Sequence, residues 1–114
     1  MLQDSFFDIV SESGTQFVLR FHPEHPIYAA HFPGQPLTPG VCFVQIAFEL
    51  LEHFLSIDSI PSVERLVLWE KHEPQVELTA SITHLHNQKI KVTFESEGKR
   101  FSSVTILIPT EHDN

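Results

Sequence analysis

Apolar and polar residues alternate with period two over much of this chain. In residues 16–22, Phe17, Leu19 and Phe21 fall on one face, and Gln16, Val18 and Arg20 on the other. With a short strand over residues 6–11 and the turn signal Ser13-Gly14-Thr15 ahead of it, this predicts a β-hairpin. The alternation returns late in the chain. Val76, Leu78, Ala80 and Ile82 oppose Glu77, Thr79, Ser81 and Thr83; Ile90, Val92 and Phe94 oppose Lys89, Lys91, Thr93 and Glu95. His86-Asn87-Gln88 and Glu97-Gly98-Lys99 read as turns, and residues 101–108 as the last strand. Residues 63–69 differ. There Leu66-Val67-Leu68-Trp69 is a nearly continuous apolar run, which predicts a central strand.

One stretch departs from period two altogether. Over residues 39–55, Val41, Cys42, Phe43, Val44, Ile46, Ala47, Phe48, Leu50, Leu51, Phe54 and Leu55 cover most of the circumference of a helix. A helix apolar nearly all round is expected to be buried nearly all round. Its polar residues Gln45, Glu49, Glu52 and His53 stand at i, i+4, i+7 and i+8, a single stripe. Thr38 is placed to cap this helix and Pro39 suits its first turn. Ahead of it lies a loop dense in proline and glycine (Pro26, Pro33, Gly34, Pro36, Pro39, Gly40) with His31 inside it. Such residues restrict a backbone path, so the loop reads as a device for placing that histidine. The order is hairpin, buried helix, then about four strands. It predicts one α+β domain over residues 1–114, a mostly antiparallel sheet wrapped on a long helix. The edges and open face of such a sheet favour dimerisation.

Composition narrows the function classes. The chain has 114 residues, 41% hydrophobic and 19% charged, which suits a globular fold. Its net charge of −8 argues against nucleic acid as a general partner. Lys89, Lys91, Lys99 and Arg100 are nonetheless clustered, either as a solvated strand face or as a local dock for an acidic partner. The start lacks the basic and apolar regions of a signal peptide, and the long apolar stretch is interrupted by Gln45, Glu49, Glu52 and His53. A cytoplasmic setting without a membrane span is therefore expected. Cys42 is the lone cysteine, which excludes an internal disulfide, and its place on an apolar helix makes it a core residue. His84 and His86 have metal-ligand spacing but no evident third ligand, so capping a strand end is the expected role.

The residues His31-Phe32-Pro33-Gly34, Pro36 and Pro39-Gly40-Val41 match the pattern HFPGxPxxPGV. In this the chain resembles the 3-hydroxyacyl-[acyl carrier protein] dehydratases of the hotdog fold. Pro26 and the aromatic Tyr28 also fall where that family tends to have a proline and an aromatic residue. The resemblance covers about 28 residues, and the element order agrees with a hotdog. It implies that His31 is the catalytic base and that the Gly40 amide binds the thioester carbonyl, with Val41, Pro33 and Tyr28 about the substrate. It implies a dimer acting on acyl carrier protein or acyl-CoA thioesters, in fatty acid or polyketide-type biosynthesis. No cofactor is implied; the 4′-phosphopantetheine arm arrives with the substrate.

The family carries an acid fourteen residues after the histidine, contributed across the dimer interface. Here that position is Gln45, and Glu49 stands where the family often has Gln. Ala30 replaces a frequent glycine, and the later proline-containing loop is reduced to His72-Glu73-Pro74. Dehydration needs a base for the α-proton, a donor for the developing enolate oxygen and a proton for the departing hydroxyl. Gln45 can hydrogen-bond but has no proton to release. Glu49 lies one turn further, about 6 Å along the axis. Three readings stay open. Glu49 is a displaced acid, a partner hotdog chain supplies the acid in a mixed dimer, or the chain binds or hydrolyses acyl thioesters without dehydrating them. As a hotdog thioesterase it would use Glu49 to activate water.

Overall fold

The computed structural model describes residues 1–54 and 60–109. Six strands form one antiparallel sheet around a long helix. The strands are β1 (Phe7–Ser13), β2 (Gln16–Phe21), β3 (Ser62–Leu68), β4 (Leu78–His84), β5 (Lys89–Ser96) and β6 (Lys99–Leu107). Their order in the sheet is β1-β2-β4-β5-β6-β3. The helices are α1 (Pro26–Ala30) and α2 (Gly40–Phe54).

The period-two residues do what alternation predicts. Phe17, Leu19 and Phe21 of β2, Leu78, Ala80 and Ile82 of β4, and Ile90, Val92 and Phe94 of β5 are all buried on the face that receives α2. Cross-strand register places Ala80 opposite Phe94, a small side chain against a large one, and Val92 opposite Val104. From the helix come Phe43, Ile46, Ala47, Leu50 and Leu51. Cys42 is buried with them, and burial pushes its thiol up to about 11, as expected of an inert core cysteine.

Two expectations need correction. The apolar run in β3 does not make it a central strand. β3 lies at the sheet edge, paired only with β6, and Val63, Leu66 and Leu68 are exposed. A run of apolar residues signals surface that wants cover, and among the described residues that surface is uncovered. The same holds for α2. Its Val41 is 72% exposed, Gln45 is exposed and Val44 and Phe48 are half-buried, so one side of the helix has no cover. The helix begins at Gly40, and its expected last residue, Leu55, lies outside the described residues. The short helix α1 falls in what reads as loop. Pro26 occupies its first turn and His25 caps it, Nδ1 accepting from the Ile27 amide at 3.1 Å.

Candidate active site

The loop from His31 to Gly40 is tied at several points. The Leu37 amide donates to the His31 carbonyl at 3.1 Å, and Phe32 and Gln35 exchange backbone hydrogen bonds. Gly34 turns the chain at φ +79°, where a Cβ would strain the backbone. The His31–Phe32 peptide is cis. The loop hands the chain to α2 at Gly40, whose amide belongs to the first turn, where N–H groups lack helical acceptors. A Cβ on Gly40 would meet Leu66 Cδ2 at 3.1 Å and Leu68 Cδ1 at 3.3 Å. Glycine thus lets the helix start close against β3.

His31 and Gly40 come together in one cavity of about 300 Å³, walled also by Phe32, Phe43, Trp69 and His72. The His31 ring lies 4.3 Å from that of Phe32, and its Nδ1 is buried without a hydrogen-bond partner among the described residues. An imidazole beside a helix N-terminus can take a proton while the helix N–H groups hold an oxyanion.

The other residues singled out by the sequence stand elsewhere. Gln45 and Glu49 are not among the cavity walls. Glu49 is buried, and its carboxylate accepts from the Leu2 amide at 2.6 Å, the Gln3 amide at 2.9 Å and the Gln45 side chain at 3.0 Å. It fastens the N-terminal segment to α2. Tyr28 is buried and stacked 5.1 Å from Phe6, Pro33 is exposed on the loop, and Val41 is exposed on the helix. Of the basic cluster, Lys89 pairs with Glu64, Lys99 pairs with Glu70, and Arg100 lies over the Trp69 ring.

Sequence reasoning gave His72 no place in the site, yet it lines the cavity and is 1% exposed. Its Nε2 is 2.7 Å from the Val76 carbonyl and its Nδ1 is 2.7 Å from the Thr38 hydroxyl. Burial pulls this imidazole down to about 4, so it is neutral near neutral pH. The Thr38 hydroxyl also meets the Tyr28 phenol at 2.8 Å. Thr38 therefore spends its hydroxyl on Tyr28 and His72, not on the cap expected of it. A lone histidine in a polar stretch, Glu70-Lys71-His72-Glu73, carries no signal of burial.

With this geometry in view, comparison with known proteins decides the family. A family model, the ApeI-like ApeI dehydratase, matches residues 8–105. The chain belongs to the ApeI-like dehydratase family. No curated protein matches this ApeI-like chain. Among solved structures it is similar to the dehydratase heterocomplex ApeI:P from Xenorhabdus doucetiae, with TM-score 0.73 at 20% identity over 85% of this chain and 90% of that one. An uncharacterised protein from Erwinia carotovora subsp. atroseptica follows at 0.66 and 19% identity, covering 92% and 93%. An inactive mutant of the CurK dehydratase reaches 0.61 at 17% identity, over 91% of this chain and 42% of that one. At such identities the likeness shows the hotdog fold, and the dehydratase-like character rests on the family match.

Proposed function

We propose that this ApeI-like protein dehydrates 3-hydroxyacyl thioesters, with His31 as base and the missing acid supplied by a partner hotdog chain. The observation that carries the reading is the meeting of His31 and the start of α2 in one cavity. In the reaction His31 takes the α-proton, and the electron pair of that C–H bond forms the new double bond. The Gly40 amide holds the thioester oxygen as charge builds on it. The β-hydroxyl leaves with a proton from a carboxylic acid, as water. The substrate is presented on a 4′-phosphopantetheine arm, of an acyl carrier protein or of CoA.

Glu49 is a poor source of the acid because both its oxygens already accept hydrogen bonds. The same engagement weighs against a thioesterase in which Glu49 activates water. Gln45 occupies the position of the family's acid and sits on the uncovered side of α2, next to the exposed Val41. A residue donated across an interface belongs on such a face. The related ApeI:P structure is itself a dehydratase heterocomplex. In a mixed hotdog dimer, one composite site would hold His31 with the partner's acid.

The test follows enoyl-thioester formation from a 3-hydroxyacyl-pantetheine substrate. The chain alone is expected to be slow, and Gln45→Glu to raise its turnover on the order of 10²-fold by restoring an acid. His31→Ala is expected to abolish turnover in that background. Full activity of the unaltered chain that survives His31→Ala would sink the reading.

A further inference from the structure

We propose that Tyr28, Thr38 and His72 form a buried hydrogen-bond relay that sets the position of the His31–Gly40 loop, with His72 as a positioning residue. Its effect on turnover rests on the dehydratase reading above; the relay itself does not.

All three side chains are sequestered, at 2%, 8% and 1% exposure. The directions of the hydrogen bonds follow from the chemistry of the groups. The Val76 carbonyl only accepts, so Nε2 of His72 carries the hydrogen. Nδ1 then accepts, and the Thr38 hydroxyl must donate to it. The Thr38 oxygen is left to accept from the Tyr28 phenol. Each of the three side-chain hydrogens in this series meets an acceptor, and one tautomer of His72 satisfies it. A second clasp runs beside it, the Thr38 amide donating to the His72 carbonyl at 2.9 Å.

The relay reaches the site from both sides. Thr38 stands two residues before Gly40, and its neighbour Leu37 holds the His31 carbonyl. His72 itself is part of the cavity wall. Its ring is enclosed by Phe21 at 4.5 Å, Phe101 at 5.8 Å and Phe43 at 6.0 Å, an apolar sheath that disfavours an imidazolium. A leucine or phenylalanine would fill this space at no desolvation cost. A polar series in a core whose hydrogens are all accepted contributes geometry where apolar packing does not. Here it joins the connection after β3 to the loop that carries the base.

The experiment compares Thr38→Val, which keeps the shape and removes the hydroxyl, with Thr38→Ser, which restores it. Both are made in the Gln45→Glu background and assayed with the 3-hydroxyacyl-pantetheine substrate well below their melting temperatures. Thr38→Val is expected to lower kcat about 10- to 100-fold with KM changed less than about 3-fold, as misplacement of a base does. Thr38→Ser is expected to recover most of that loss. Imidazole nitrogen shifts provide a readout without turnover. His72 should carry its hydrogen on Nε2 alone over about pH 5 to 8, and the His31 signals should move in Thr38→Val. If Thr38→Val fails to fold, Tyr28→Phe removes one hydrogen bond of the relay and is read the same way.

Unchanged kcat with unchanged His31 signals in a folded variant would overturn the proposal, as would a native His72 that carries its hydrogen on Nδ1. Absent turnover in every form, with His31 signals that move on breaking the relay, refutes the dehydratase reading and supports the relay.

Discussion

Glu49 shows how one residue's meaning changes with its neighbours. In the helix stripe it is a carboxylate near the expected acid; in space it is the acceptor for two backbone amides of the N-terminal segment. Glu49→Gln is therefore expected to destabilise the fold by about 1–3 kcal/mol, the scale for hydrogen bonds to a charged group. Turnover per folded molecule should stay the same, and denaturant melts beside an activity assay check both. His72 makes a second prediction, in pH. Its folded pKa of about 4 lies below the ordinary 6.5, so on acidification the unfolded chain takes the proton first. The stability owed to neutral His72 is complete above pH 6.5 and is lost as pH falls towards 4, about 3 kcal/mol in all. His22 acts in the opposite sense. The hydrogen bond with Asp8 raises its pKa, so its stabilisation is present below 6.5 and fades as pH rises through the folded value. A His72→Gln variant with a flatter acid limb between pH 6.5 and 4 is the expected signature; an unchanged limb would refute it.

At the scale of elements, the junction of α2 with β3 matters most. Gly40 brings the helix start within van der Waals reach of Leu66 and Leu68. The facing atoms are side-chain ends that can shift by tenths of an ångström. Gly40→Ala should thus change stability by less than about 1 kcal/mol, since alanine also favours the helix. The added methyl sits beside the amide proposed to hold the thioester, so kcat/KM should fall about 10-fold or more. A large drop in melting temperature with unaltered kinetics would contradict this. The periodicity of β2, β4 and β5 was readable because each has one buried face. β3 misled because an apolar run records the need for burial and not where the covering surface comes from. Helix α1 was hidden because its cap is a histidine, an uncommon choice for that position.

At the scale of the molecule, uncovered apolar surface collects on one side. Val41 of α2 and Leu66 and Leu68 of β3 are exposed, and these two elements adjoin through Gly40. Among the described residues the outer edge of β3 pairs with no strand, which adds backbone groups open to pairing in the same region. A second hotdog chain is the proposed cover. Leu68→Glu is expected to shift the protein to monomer in sedimentation or mass photometry, while the far-UV spectrum stays native. It should also lose turnover, because a composite site needs both chains and Leu68 also lines the His31–Gly40 cavity. A Leu68→Glu protein that remains associated would place the interface elsewhere.

The sequence alone determined what local chemistry can write. It specified strands by their alternation, the helix by its apolar girth, and the loop by prolines, glycines and a histidine in fixed order. Those signals are short-range, so they survive without coordinates. Only the tertiary structure decided which of two nearby polar residues is exposed. It tied Glu49 to the N-terminal segment 46 and 47 residues away and left Gln45 on the open face. It also brought His72 to Thr38, 34 residues distant, inside an apolar sheath. Such partnerships are set by chain crossing and burial, and no spacing along the sequence encodes them.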